Sequence, residues 1–230
     1  MENPTLPALP LDAVLEDFEA LDVLGDAGRV WLLQLPAFAG IVLVLHAPLL
    51  LLTLLPTLPV VVSFAILVVA ELFISLLVKA ALAKAAVDAR RSLSTSFREL
   101  FEAVGRMPAA LAAGVPILAR AAIRLPLIVP CVKLLVRAYV AVPAAVLEGS
   151  SPWKALRRSE DLTHGARLPI LGFCLLTWTL AAGLILLSGL HKVGTFGNAT
   201  WLVVYILSRT LDQSFAAVLA AMTYDRLTER

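Results

Sequence analysis

Residues 30–70 read VWLLQLPAFAGIVLVLHAPLLLLTLLPTLPVVVSFAILVVA and contain no Asp, Glu, Lys or Arg. This uncharged run of 41 residues is about twice as long as one helix needs to cross a bilayer. Pro56 and Pro59 interrupt the run near its middle, and proline removes a backbone donor and breaks a helix. The stretch therefore predicts two antiparallel membrane helices joined by a very short turn.

The whole chain has the composition of an integral membrane protein. Of its 230 residues 60% are hydrophobic and the mean hydropathy is +0.90, which is more apolar surface than a soluble core of this size buries. Apolar stretches of about 20 residues predict six spans, at residues 30–53, 60–83, 107–124, 126–147, 168–190 and 198–222. The predicted fold is an all-α polytopic transmembrane helical bundle. Short amphipathic interfacial helices are expected to begin near Pro10, Ser96 and Pro152, the last of them ended by Gly165.

The charges of the loops predict the orientation, because Lys and Arg collect in cytoplasmic loops. The second connection, the fourth connection and the C-terminus carry most of the bases, namely Lys84, Arg90, Arg91, Arg98, Arg106, Lys154, Arg157, Arg158, Arg167, Arg226 and Arg230. Both termini are therefore expected on the cytoplasmic side. Residues 1–29 form an acidic amphipathic segment without the pattern of a cleaved secretion signal, and residues 30–230 form the transmembrane domain.

A polar segment between the fourth and fifth predicted spans carries a family pattern. Residues 142–149 read VPAAVLEG, residues 152–159 read PWKALRRS and residues 162–165 read LTHG. With Arg137 and the terminal YDRL at 224–227, the pattern resembles a bacterial membrane-domain family. Members of that family occur as the membrane portion of some glycerophosphodiester phosphodiesterases and as stand-alone multi-helix proteins of unknown function. The resemblance implies a membrane module of a bacterial inner membrane, without the phosphodiesterase barrel. Its signature residues here are Glu148, Gly149, Trp153, Arg157, Arg158, Ser159 and Gly165.

Four ionisable residues fall near the predicted bilayer midplane, where an unpartnered charge costs at least about 2.5–3.5 kcal/mol. Glu71, Arg137 and Arg209 each lie 11 residues past the start of a predicted span, and Asp212 follows Arg209 by one turn. Two acids and two bases at one depth predict a neutral cluster between the second, fourth and sixth spans. Such a cluster either fixes helix packing or forms a proton- or ion-responsive site.

Residues 107–147 carry cations but no acid, and prolines cut them into short pieces. Broken helices at membrane depth persist where they are buried in protein or line a cavity. Arg120, Arg124 and Lys133 are therefore candidate contacts for an anionic lipid or another anionic amphiphile, with snorkelling to the interface as the alternative. The sequence fits both two full spans and one re-entrant hairpin in this region.

The sequence contains no motif of a soluble enzyme, such as a phosphate-binding Gly-rich loop, a nucleophile elbow or a zinc-protease pair. Its three histidines, His46, His164 and His191, fall in different parts of the predicted topology, which argues against a metal triad. We therefore expect no catalysis, no cofactor, no metal and no nucleic-acid partner. The favoured function is a non-enzymatic subunit or scaffold that contacts membrane lipids and a protein partner or a second copy of itself. The alternative is a transporter or lipid-handling protein that binds an anionic amphiphile or a coupling ion in the bundle.

Overall fold

The computed structural model describes residues 20–49, 60–90, 108, 112, 114–117, 119, 128–187 and 199–229. In these ranges the chain forms helices and no strand, so the predicted all-helical fold is confirmed. The helices are α1 (Ala20–His46), α2 (Val60–Arg90), α3 (Ile128–Arg137), α4 (Ala141–Glu148), α5 (Pro152–Leu162), α6 (Arg167–Leu187) and α7 (Ala199–Thr228). Residues 114–117 are helical as well.

Five segments of the described chain are long and apolar enough to cross a membrane. They are Ala20–Leu49, Ile66–Arg90, Val129–Glu148, Arg167–Leu184 and Val203–Thr228, and they correspond to the first, second, fourth, fifth and sixth predicted spans. The predicted third span, at 107–124, lies largely outside the described residues. The turn at Pro56 and the amphipathic segments near Pro10 and Ser96 lie outside them too.

The first helix extends beyond the uncharged run on its N-terminal side. α1 continues through residues 29 and 30 without a break, so Asp22 and Asp26 belong to the same helix as the apolar residues that follow. Acidic side chains stabilise a helix N-terminus because they face the positive end of its dipole. Pro36 lies inside α1, as membrane helices tolerate. The boundary at residue 29 is thus a change of composition within a continuous helix.

The two longest helices are α2 and α7, with 31 and 30 residues. At 1.5 Å per residue each is about 45 Å long, which exceeds the hydrocarbon core of about 30 Å. Pro59 directly precedes α2, and no Gly or Pro interrupts that helix before Arg90. This absence of a helix breaker explains why α2 continues seven residues past the predicted end of the second span.

The predicted fourth span, at 126–147, consists of two short helices in the structure. Residues 138–140 form a turn between α3 and α4. After α4, Gly149 has a φ of 62°, in the left-handed region that glycine adopts without a steric penalty from Cβ. The predicted single span is therefore interrupted at residues 138–140 and is followed by a left-handed glycine at 149.

The amphipathic helix α5 begins at Pro152, as the sequence predicts, because proline fits the first position of a helix. Its predicted end at Gly165 is wrong. Thr163 caps the helix in the right-handed conformation, and its backbone N–H donates to the carbonyl oxygens of Ser159 and Asp161. The helix closes with its own backbone bonds, so no left-handed glycine is needed there.

Helix α7 is the centre of the bundle and packs against α1, α2 and α6, with smaller contacts to α4 and α5. Its second half is buried and rich in small residues such as Ala217, Ala220 and Ala221, which let neighbouring helices approach closely. Trp31 of α1 fixes one of these contacts. Its Nε1 donates to Ser214 Oγ at 2.8 Å, and its ring meets that of Phe215 edge to face at 5.6 Å.

Large apolar side chains are exposed on α1, α6 and the halves of α2 and α7 that lie away from Arg90. Examples are Leu33, Val69, Leu186 and Leu207. A water-soluble surface rarely carries so many large apolar groups side by side, whereas lipid tails solvate them without cost. The exposed apolar band therefore fits the predicted contact with membrane lipids.

One end of the bundle is held by ion pairs between helices. Arg90 at the end of α2 contacts Asp225 Oδ2 at 2.6 Å and Glu229 Oε1 at 3.0 Å, both in or after the last turn of α7. The same guanidinium lies 3.6 Å from Asp26 near the start of α1. The start of α1 and the ends of α2 and α7 thus meet on one side, as the loop charges predict for segments that share a compartment.

Candidate functional site

Among the residues that the structure describes, the largest group of buried ionisable side chains lies where α1, α2 and α7 meet. Arg209 on α7 donates through Nε to Glu71 Oε1 on α2 and through Nη1 to Asp212 Oδ2, each at 2.5 Å. Gln213 Nε2 donates to the same Glu71 oxygen, also at 2.5 Å. The side chains of Glu71, Arg209 and Asp212 are 12%, 14% and 7% exposed, so the pairs are shielded from solvent. We call these residues, together with His46, the Glu71 cluster.

Local helix geometry explains much of this arrangement. Arg209, Asp212 and Gln213 are spaced i, i+3 and i+4, so they share one face of α7. Glu71 lies 11 residues after the start of α2, which places it about 16 Å along the helix and about 28 Å from Arg90. The cluster is thus well separated from the charged end of the bundle. Tyr205, also buried, adjoins Glu71 and Arg209 one turn earlier on α7.

His46 completes the cluster, although no sequence pattern predicts its place there. Its ring is fully buried at the end of α1, and Nδ1 lies 2.8 Å from the carbonyl oxygen of Val42. Since a carbonyl only accepts, Nδ1 carries the hydrogen in this contact. In the neutral ring Nε2 is then a bare acceptor. It faces Glu71 Oε2 at 3.7 Å, and neither atom has a hydrogen-bond partner among the described residues.

Two acceptor atoms therefore face each other in a buried place. Gln213 Oε1 is a third buried oxygen of the cluster without a hydrogen-bond partner in the described chain. Facing lone pairs in a low-dielectric interior repel, and an unsatisfied buried acceptor costs about 1–3 kcal/mol. A proton on Nε2, or a small cation between Nε2 and Oε2, removes this repulsion.

Arg137, the fourth predicted member, is not in the cluster. Its Nη1 contacts Glu160 Oε1 on α5 at 2.9 Å, and the two side chains are 45% and 47% exposed. The prediction counted 11 residues along an uninterrupted span. It is wrong because Arg137 lies at the end of α3, where its side chain meets Glu160 of α5 and not Glu71.

The second cation inside the bundle is instead Lys79, eight residues after Glu71 on α2. Lys79 has no carboxylate within ion-pair distance in the described chain and lines a cavity of about 130 Å³ between α2, α4 and α6. Tyr139, Cys174 and Thr177 also line the cavity. Sequence reasoning missed Lys79, although its place inside the predicted second span was a sufficient signal.

The predicted anion contacts fall in two groups. Arg120 and Arg124 lie outside the described residues. Lys133 is described and is exposed on α3, as expected for a side chain that reaches lipid headgroups or snorkels to the interface. Its role as an anion contact stays a prediction.

Several signature residues of the family resemblance meet where α4 turns into α5. Glu148 accepts from the Tyr224 hydroxyl at 2.8 Å and from Arg158 Nε at 3.2 Å, which ties α4 and α5 to α7. Ser159 Oγ donates to the backbone oxygen of Arg137 at 2.7 Å. The remaining signature residues are Gly149 in the left-handed turn, Trp153 and Arg157, both exposed, and Gly165, also exposed.

Comparisons of the chain with protein-family models, with curated proteins and with solved structures give no match. The family resemblance of residues 142–165 therefore stays a prediction from the sequence. Within the described ranges, no group of three or more His, Cys, Asp or Glu side chains is placed to hold a metal ion. The Glu71 cluster and the Lys79 cavity are thus the two candidate sites that the geometry offers.

Proposed function

We propose that this chain is a non-enzymatic membrane carrier in which the Glu71 cluster takes up and releases a proton or a small monovalent cation. The observation that carries the proposal is the contact between His46 Nε2 and Glu71 Oε2 at 3.7 Å. Both atoms are buried acceptors without a hydrogen-bond partner in the described chain. A positive charge between them satisfies both at once.

The charge balance of the cluster supports the same occupant. With neutral His46, the residues in direct contact carry two negative charges, on Glu71 and Asp212, against one positive charge on Arg209. One proton or monovalent cation brings the sum to zero, which a low-dielectric environment favours. Lys79 acts on Asp212 from a greater distance but contacts none of these side chains as an ion pair.

The position of the cluster also supports a role in ion transfer. The consecutive helices α1 and α2 meet the distant helix α7 at it, so small movements of α1 against α2 and α7 alter the distance between His46 and Glu71. Ionisable residues at membrane depth commonly mark ion or proton pathways. Arg209 holds the carboxylate of Glu71 in place from α7, which leaves Oε2 turned toward α1.

The test is ion flux in proteoliposomes made from the purified full-length protein, with a trapped pH-sensitive dye and with Na⁺ or K⁺ gradients. We expect flux of protons or of one of these cations above that of empty liposomes. Glu71→Gln should abolish the flux, because it removes the negative charge that attracts the cation.

Glu160→Gln is the matched control, since Glu160 is an exposed acid outside the cluster. It should leave the flux unchanged. Absence of proton, Na⁺ and K⁺ flux in the wild type, or equal flux in Glu71→Gln and wild type, would contradict the carrier.

The proposed location is a bacterial inner membrane with both termini in the cytoplasm. The ion pairs of Arg90 support this topology, because they join the N-terminal part of α1 to the end of α7. Reporter fusions at residues 1 and 230 should both give cytoplasmic signals. A periplasmic signal from either one would overturn the topology.

A second candidate is the non-enzymatic subunit that the sequence favours. The specific observation is the outer face of α5, where Trp153, Lys154 and Arg157 are exposed together. A face that combines an aromatic ring with two cations suits either lipid headgroups or an acidic partner surface. Stoichiometric co-purification of a protein that is lost when Trp153, Lys154 and Arg157 are replaced by Ala, combined with an absence of flux, would favour this candidate.

A further inference from the structure

The cavity beside Lys79 shares no residue with the Glu71 cluster. It has a volume of about 130 Å³, and its lining comes from α2, α4, α6, α7, the end of α3 and the helical residues 114–117. For comparison, an engineered cavity of about 150 Å³ in another protein holds a benzene molecule. The cavity is therefore large enough for a small polyatomic ligand.

The polar side chains that line the cavity include one ammonium group and no carboxylate. Lys79 is partly buried and carries three N–H donors, yet no carboxylate lies within 4.0 Å of it in the described chain. The Tyr139 hydroxyl is buried and has no hydrogen-bond partner among the described residues. Thr177 already uses its hydroxyl hydrogen, since Oγ1 lies 3.0 Å from the carbonyl oxygens of Phe173 and Cys174.

We propose that this cavity binds a phosphate-sized oxyanion, held by the Lys79 ammonium and the Tyr139 hydroxyl. An oxyanion supplies several acceptor lone pairs and one or more negative charges. The Tyr139 hydroxyl has no acceptor, and the Lys79 ammonium has no carboxylate in contact, among the described residues. Water supplies acceptors but no negative charge in contact with the ammonium group. No Asp or Glu lines the cavity, so no carboxylate of the described chain competes for the site.

The cavity also has a route to its surroundings. Trp178 lines it and is 44% exposed on the outer surface of α6. The oxyanion could therefore come from the aqueous phase or be the phosphate of an anionic phospholipid, since both present the same chemistry to Lys79.

Two binding measurements on the full-length protein test the proposal. Equilibrium dialysis with radiolabelled inorganic phosphate probes the free anion. Native mass spectrometry after release from nanodiscs of phosphatidylglycerol and phosphatidylcholine probes the lipid. We expect saturable binding of at least one of the two anionic probes, and the probe that binds identifies the source.

Variants then locate the site. Lys79→Met should weaken binding at least ten-fold and Tyr139→Phe at least three-fold. Lys84→Met, a lysine change five residues further along the same helix, should bind as the wild type does. If Lys79→Met does not fold, Tyr139→Phe decides, because it removes only one oxygen atom.

The proposal is overturned if neither phosphate nor phosphatidylglycerol binds, or if folded Lys79→Met binds as tightly as the wild type. If Lys79→Met does not fold, the proposal is overturned when Tyr139→Phe binds with the affinity of the wild type. These results are independent of the flux assay, because Glu71→Gln leaves every residue of the cavity in place.

Discussion

Replacement of Arg209 by Met removes the cation that joins the two acids of the Glu71 cluster. Arg209 donates to Glu71 and to Asp212 at 2.5 Å each. None of the three side chains is more than 14% exposed. Met has a similar length and no charge, so the change leaves two carboxylates close together without a counter-ion in contact. Breaking a buried ion pair by removing one partner costs about 3–5 kcal/mol.

Arg137→Met is the matched control, because the sequence alone placed Arg137 in the same cluster. In the structure its pair with Glu160 is about half exposed. Exposed ion pairs contribute about 0–1 kcal/mol, since water screens the charges and both side chains lose freedom. The structure therefore predicts a large loss of stability for Arg209→Met and a small one for Arg137→Met. If both arginines lay in the same buried cluster, the two losses would be similar.

The assay is thermal unfolding of both variants and the wild type in one detergent, followed by tryptophan fluorescence. At about 2–4 °C per kcal/mol for a chain of this size, Arg209→Met should lower Tm by about 6–20 °C and Arg137→Met by at most about 4 °C. Equal shifts of the two variants, or a shift below about 2 °C for Arg209→Met, would refute the assignment of Arg209 to a buried network.

Three further predictions concern the contacts at the charged end of the bundle and the α4–α5 turn. Tyr224→Phe removes the hydroxyl that donates to Glu148, and we expect a loss of about 1 kcal/mol in the free energy of unfolding, measured by denaturant titration; no change would mean that the bond contributes nothing. Arg90→Gln separates the end of α2 from its acidic partners, so hydrogen exchange in the last turn of α7 should become faster; unchanged exchange would count against the bridge. Gly149→Ala places a residue with a Cβ in the left-handed backbone conformation and should lower the free energy of unfolding by about 1–2 kcal/mol. Gly165→Ala should lower it by less. Equal thermal shifts of the two variants would contradict the difference in backbone conformation.

The sequence predicted Arg137 as a cation inside the bundle, but the structure places Lys79 there instead. This difference shows which step of the prediction failed. Counting residues from the start of a span gives the depth of a side chain only when the helix is straight and unbroken. Glu71 and Arg209 lie on long continuous helices, and they contact each other as their equal count predicts. Arg137 lies at a helix end, and the turn that follows it depends on how α3, α4 and α5 pack against one another.

The sequence by itself determined the helical membrane class, the start of α5 at Pro152 and the contact between Arg209 and Asp212, because each of these depends on residues close together in the chain. Only the tertiary structure brought His46 to Glu71 and left Lys79 beside a cavity. The physical reason is that apolar residues favour lipid and neighbouring helices almost equally. Composition therefore fixes which segments enter the membrane. Side-chain packing between the segments fixes how each helix is rotated and offset, and so which buried charges meet.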